Sequence, residues 1–144
     1  MIFRIAVLVF LIYLSVCDLK SRTVPVKPMG LFAALICALH VFLRDMTLPG
    51  MLAGMIPGAG MLLLALLFHA SIGTGDGMTC AVCGSAIGFD AEFSALTAAL
   101  LLCAAYSVLQ LVRRKVTRSS SLPFLPFLAA GHVLVLAAQG LSTI

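Results

Sequence analysis

Charged side chains in this chain are confined to short clusters, and the apolar stretches between them are too long for a soluble core. Residues 2–17, 29–43, 48–72 and 93–112 are such runs, and another ends near 138. Only 10% of the residues are charged against 62% apolar, at a mean hydropathy of +1.20. A soluble domain carries roughly 25% charged residues, so the chain is constrained to membrane helices. Six short spans nearly exhaust the 144 residues. The expected fold is therefore an all-α membrane protein of six transmembrane helices, with one domain over 1–144 and the lipid bilayer as its surroundings.

One break between runs is unusual. Gly73-Thr74-Gly75-Asp76-Gly77 sets a carboxylate among three glycines, flanked by apolar sequence on both sides. An ionisable group at membrane depth is costly and marks function by default, and bare glycine backbone admits close approach by another chain. Span arithmetic places Asp76. A helix over 78–89 would be about 18 Å long, too short to cross, whereas one over 73–89 is a credible crossing. Asp76 is thus expected inside the membrane boundary, in or next to the first turn, where free N–H groups favour an anion.

Charge counting gives Asp76 a partner. With six spans both termini lie on one side, and the loops after spans 1, 3 and 5 share the other. Those loops carry Lys20, Arg22, Lys27, Arg113, Arg114, Lys115 and Arg118, whereas the opposite side carries Arg4 and Arg44. Basic loops stay in the cytoplasm, so both termini are expected outside it. Asp18, at the end of the 2–17 run, then falls on the same cytoplasmic face as Asp76. Asp45, Asp90 and Glu92 fall on the other, with 90–92 read as a short loop ahead of a span that starts at Phe93.

Two carboxylates sharing a site cannot both ionise cheaply. One can activate a water as base while its partner donates a proton to a peptide carbonyl oxygen. The bland alternatives are a boundary ion pair of Asp18 with Lys20 or Arg22, and a helix N-cap role for Asp76. His40 and His132 read as satisfied packing residues, while His69 stands near enough to Asp76 to support it. The five cysteines, Cys80-x-x-Cys83 among them, read as small packing residues, because an odd count at membrane depth makes no disulfide framework and no second pair completes a zinc site. No metal and no cofactor is expected. Without Trp or a basic block interleaved with aromatics, nucleic-acid binding has little support. The N-terminal run lacks a small-x-small cleavage site and reads as a retained span.

Three segments resemble the type IV prepilin peptidases, membrane aspartic proteases with a Gly-x-Gly-Asp signature. They are Asp18 followed by a polar stretch to Pro25, Gly73-Thr74-Gly75-Asp76 with Gly84 and Gly88 beyond it, and Leu122-Pro123-Phe124-Leu125-Pro126-Phe127 ahead of the last span. The resemblance implies that Asp18 and Asp76 are the catalytic pair of an endopeptidase in the inner (cytoplasmic) membrane. The substrate it implies is a prepilin or pseudopilin, whose short basic leader is cut at the cytoplasmic face. Gly73, Gly75, Gly77, Gly84 and Pro25 are expected to serve substrate binding, with Gly84 helping a substrate helix dock between spans. Self-association into a homo-oligomer is left open. Two departures stand out. Gly77-Met78-Thr79 occupies the place of the family's usual Val/Ile-Lys-Leu, which points to an altered substrate preference or to a loss of activity, and is the best support for the alternative of a non-catalytic pilin-binding assembly protein. The chain also lacks the cytoplasmic double Cys-x-x-Cys region of longer relatives, so methylation of the trimmed pilin is not expected.

Overall fold

The computed structural model describes residues 2–21, 26–43, 46–67, 73–113 and 123–141. Pro25, His69 and the basic residues Arg22, Arg44, Arg114, Lys115 and Arg118 lie outside these described residues. Six α-helices follow in order: α1 (Ile2–Ser21), α2 (Val26–Leu43), α3 (Leu48–Leu67), α4 (Thr74–Ile87), α5 (Phe89–Val112) and α6 (Leu125–Leu141).

Helix boundaries depart from the sequence reading in three places, each for a local reason. α1 continues past residue 17 and carries Asp18 inside its last turn, because Leu19 and Lys20 are good helix formers and nothing there breaks the helix. α2 takes in Pro28 near its start, where the first N–H groups lack intrahelical partners and a proline removes nothing. The third departure is the largest. Residues 90–92 are not a loop: α4 ends at Ile87, Gly88 alone makes the turn at φ +87, and α5 begins at Phe89. That φ is open to glycine and costly for other residues. Asp90 and Glu92 consequently sit in the first turn of α5, where acids suit the helix dipole.

Four helices are long and apolar enough to cross a membrane: Ile2–Lys20, Val26–Leu43, Leu48–Leu67 and Phe89–Val112. α4 has 14 residues, or about 21 Å of helix, and α6 is also shorter than the four.

α4 is the hub. It lies along α3 in the most extensive contact of the bundle and also packs against α1, α2 and α5, while α6 joins α5 to α1. The α3–α4 contact is backbone to backbone. A Cβ built on Gly84 would strike the carbonyl oxygen of Gly54, and one on Gly54 would strike that of Gly84. Gly58 meets Ala81 in the same way, and a Cβ on Gly77 would stand 2.7 Å from the Leu62 nitrogen. Without an oil–water contrast between helices, this close van der Waals approach is what holds them together. α2 joins α1 through two stacked ring pairs, Phe3 on His40 with centroids 4.0 Å apart and Phe10 on Phe32 at 3.9 Å.

The burial pattern is that of a membrane bundle. Leu11, Leu14, Ile36, Leu125 and Leu128 fill the middle together with Cys80 and Cys83. The polar side chains Asp18, His40, Thr79, Ser85, Glu92 and His132 are buried too, while Phe42 (85% exposed), Val112 (75%) and Leu31 (74%) face outward. Polar groups inside and large apolar groups outside suit a hydrocarbon solvent.

Candidate active site

The start of α4 fixes Asp76. Gly73 is the N-cap, with extended backbone (φ −68, ψ 128). Thr74 and Gly75 are then the first two helical residues and Asp76 the third. Asp76 is therefore not the N-cap of the bland alternative. At the third position an acidic side chain can turn back over the cap residue, and this one does. Its carboxylate reaches the Gly73 backbone, and a Cβ on Gly73 would stand 2.9 Å from its Oδ2. The Asp76 N–H also donates to the Gly73 carbonyl oxygen at 3.0 Å. The first glycine of the signature is thus needed so that the carboxylate can lie over it.

Gly75 is half-buried, and its carbonyl oxygen accepts the Thr79 hydroxyl at 2.8 Å. Thr79 in turn points its hydroxyl at the Met29 sulfur of α2, 3.6 Å away. Gly77 is buried against Leu62 of α3, and Gly84 against Gly54. α3 therefore fills the space that the sequence reading left for a substrate helix at Gly84. Pro25 lies outside the described residues.

Asp18 approaches from α1. It is buried in that helix's last turn, and its carboxylate acts electrostatically on the half-buried carboxylate of Asp76. The fold brings together two acids 58 positions apart in the chain, from the C-terminal end of one helix and the N-terminal end of another. Met78 is 43% exposed. It lies two residues, or about 200°, around the helix from Asp76, so it leaves α4 on a different face from that of Asp76.

A Gly73→Ala variant tests how tightly the signature holds Asp76. The added methyl meets the movable end of a side chain rather than backbone, so the helix should fold while the carboxylate is displaced. Any reaction that uses the Asp76 carboxylate is expected to fall by about 10- to 100-fold in this variant at an unchanged membrane level.

Sequence reasoning missed a second polar centre. Glu92 of α5 is fully buried, and its Oε2 lies 3.1 Å from Nε2 of the buried His132 of α6. Glu92 looked like a loop acid and His132 like an isolated packing residue, with 40 positions between them and no motif to link them. A glycine just before a helix-borne acid was the available clue to a turn without a loop. Cys80 points its thiol at the Met61 sulfur, 3.8 Å away, and Cys83 is fully buried. Among the described residues no group of three or more His, Cys, Asp or Glu is placed to hold a metal.

Comparison with known proteins gives one result. The profile of the type IV leader peptidase family matches residues 5–108. No curated protein and no solved structure matches the chain. The matched stretch contains both Asp18 and Asp76 and ends within α5, so the Pro-Phe segment at 122–127 lies beyond it. A match over well more than half of the chain, with both acids inside it, means that this protein belongs to the type IV leader peptidase family.

Proposed function

We propose that this protein is an intramembrane aspartic endopeptidase that removes the short basic leader from prepilins or pseudopilins, with Asp18 and Asp76 as its catalytic pair. The observation that carries the reading is the approach of these two carboxylates, one buried and one half-buried, from separate helices of a peptidase-family fold. One carboxylate takes a proton from a water as that water attacks the scissile carbonyl carbon. The other, protonated, donates to the carbonyl oxygen, and a proton then passes to the departing amine. Two carboxylates and a water suffice for this chemistry.

The exposed Gly73 and the half-buried Gly75 offer backbone beside Asp76 on which an extended substrate can rest. Gly77 and Gly84 contribute indirectly, by letting α4 seat on α3. In the bilayer the six helices form six crossings, with α4 and α6 as the shallow ones and both termini outside the cytoplasm. Seven of the nine basic residues then lie on the cytoplasmic side of an inner membrane protein. Asp18 and Asp76 are the only acids on that side, so the basic leader has no acidic patch to bind and its apolar helix is left to provide recognition.

Met78, in place of the family's lysine, favoured a pilin-binding protein without catalysis, but its outward position weakens that argument. Co-expression with a prepilin tests the two readings. The leader should be lost, seen as a gel shift, and the new N-terminus should be read by sequencing. A prepilin that co-purifies uncut would mark the non-catalytic alternative.

A further inference from the structure

Glu92 and His132 form a buried centre that the proposed peptidase chemistry leaves unused. Besides the 3.1 Å contact between Nε2 and Oε2, the ring's Nδ1 lies 3.0 Å from the Leu128 carbonyl oxygen. A carbonyl oxygen only accepts, so Nδ1 carries a hydrogen. Nε2 then bonds Glu92 as an imidazolium donating to a carboxylate, or as an imidazole accepting from a carboxylic acid. Both forms hold one proton between the residues and leave the pair neutral, a condition under which such groups tolerate burial.

The placement of the pair links it to Asp76 and to Asp18. The Glu92 stem lies on α4, with its Cγ 3.1 Å from where a Cβ on Gly84 would stand. One turn nearer the start of α4, Cys80 is acted on electrostatically by both Glu92 and Asp76. Positions 76, 80 and 84 follow at four-residue spacing and so share one face of the helix. On the other side, Gly131 brings α6 onto α5 so closely that a Cβ there would strike the Ala95 carbonyl oxygen, and its neighbour His132 thereby reaches Glu92. α6 also packs on α1, the helix that carries Asp18.

We propose that Glu92 and His132 are a positioning pair for the reaction: their bond holds α6, and α1 with it, against α5 and α4, and so sets the separation of Asp18 from Asp76. The proposal rests on the reading of those two acids as the reaction centre. The pair itself touches no substrate.

The test uses purified full-length protein in detergent, a prepilin as substrate, and the variants Glu92→Leu, His132→Leu and Glu92→Gln. The two leucine variants should lose about 100-fold in kcat with KM changed by less than about twofold, as expected of a misplaced reaction centre. Glu92→Gln keeps the link, because its amide can donate to a neutral imidazole, and should stay within about fivefold of the parent. A leucine variant with parental kcat overturns the proposal, as does a glutamine variant as slow as the leucine one. Where the leucine variants do not accumulate, His132→Asn, too short for the direct bond, takes their place with the same expected loss. Amide hydrogen exchange over residues 74–80 gives a readout independent of cleavage. It should quicken in the variants that break the bond and not in Glu92→Gln, and unchanged exchange in all of them overturns the proposal. If the parent protein cuts no prepilin, the peptidase reading fails, and the exchange result still decides whether the pair holds α4.

Discussion

Asp76→Asn and Asp18→Asn should each leave a folded membrane protein that cleaves prepilin about 10²- to 10⁴-fold more slowly than the parent. Each change is nearly isosteric. An asparagine at 76 can still turn back over Gly73 and accept from its backbone N–H, so the start of α4 stays capped. What disappears is a group able to take and return a proton. At 18 the amide occupies the same buried position near the end of α1, and the group able to exchange a proton is again removed. Leader retention on a gel, with immunoblots of the membrane fraction to confirm equal amounts of enzyme, measures the effect. Processing that survives either substitution contradicts the assignment of that acid.

The second large effect is structural and falls on Gly84. Its neighbour across the α3–α4 contact is the Gly54 carbonyl oxygen, which belongs to a helix backbone and cannot rotate aside. Gly84→Leu must push the two helices apart along the contact that forms the centre of the bundle. Overpacking a core usually costs about 1–3 kcal/mol, and a clash with rigid backbone lies at or above the upper end of that range. Loss of folded protein from the membrane is expected, with Gly84→Ala already lowering thermal stability in detergent. Gly30 and Gly60 are the controls. A Cβ at either meets nothing within 4 Å, and replacing an exposed helical glycine by alanine gains up to about 1 kcal/mol. Gly60→Ala should be as stable as the parent or more so. Equal tolerance at 84 and 60 would contradict the packing account.

The placement of Asp18 and Asp76 was more legible in the sequence than the frame around them. Asp76 was expected in the first turn of a helix because a helix begun after it would be too short to cross. It does lie in that turn, but α4 ends at Ile87 and its 14 residues are fewer than the crossing expected over 73–89. Asp18 could be placed at the same end because the basic residues cluster in alternate loops. Both inferences rest on bilayer thickness and charge, which act on the chain locally. Gly84 pointed to close helix contact, read as room for a substrate helix, and the chain's own α3 fills that place through Gly54. Asp90 and Glu92 were misread as a loop because a turn normally takes several polar residues, whereas Gly88 makes this one alone. The bond from Glu92 to His132 could not be read at all, since it depends on how closely Gly131 lets α6 approach α5.

That Asp18 and Asp76 act as one unit is the central claim, and a double-substitution cycle tests it most directly. kcat/KM for leader removal would be measured on purified parent, Asp18→Asn, Asp76→Asn and the double variant, in the same lipid and with the same prepilin. Groups that work on one transition state are strongly non-additive. The two single variants should therefore fall to a similar residual rate, and the double variant should be no slower than either. Losses that multiply in the double variant, or one single variant that keeps the parental rate, would contradict the account.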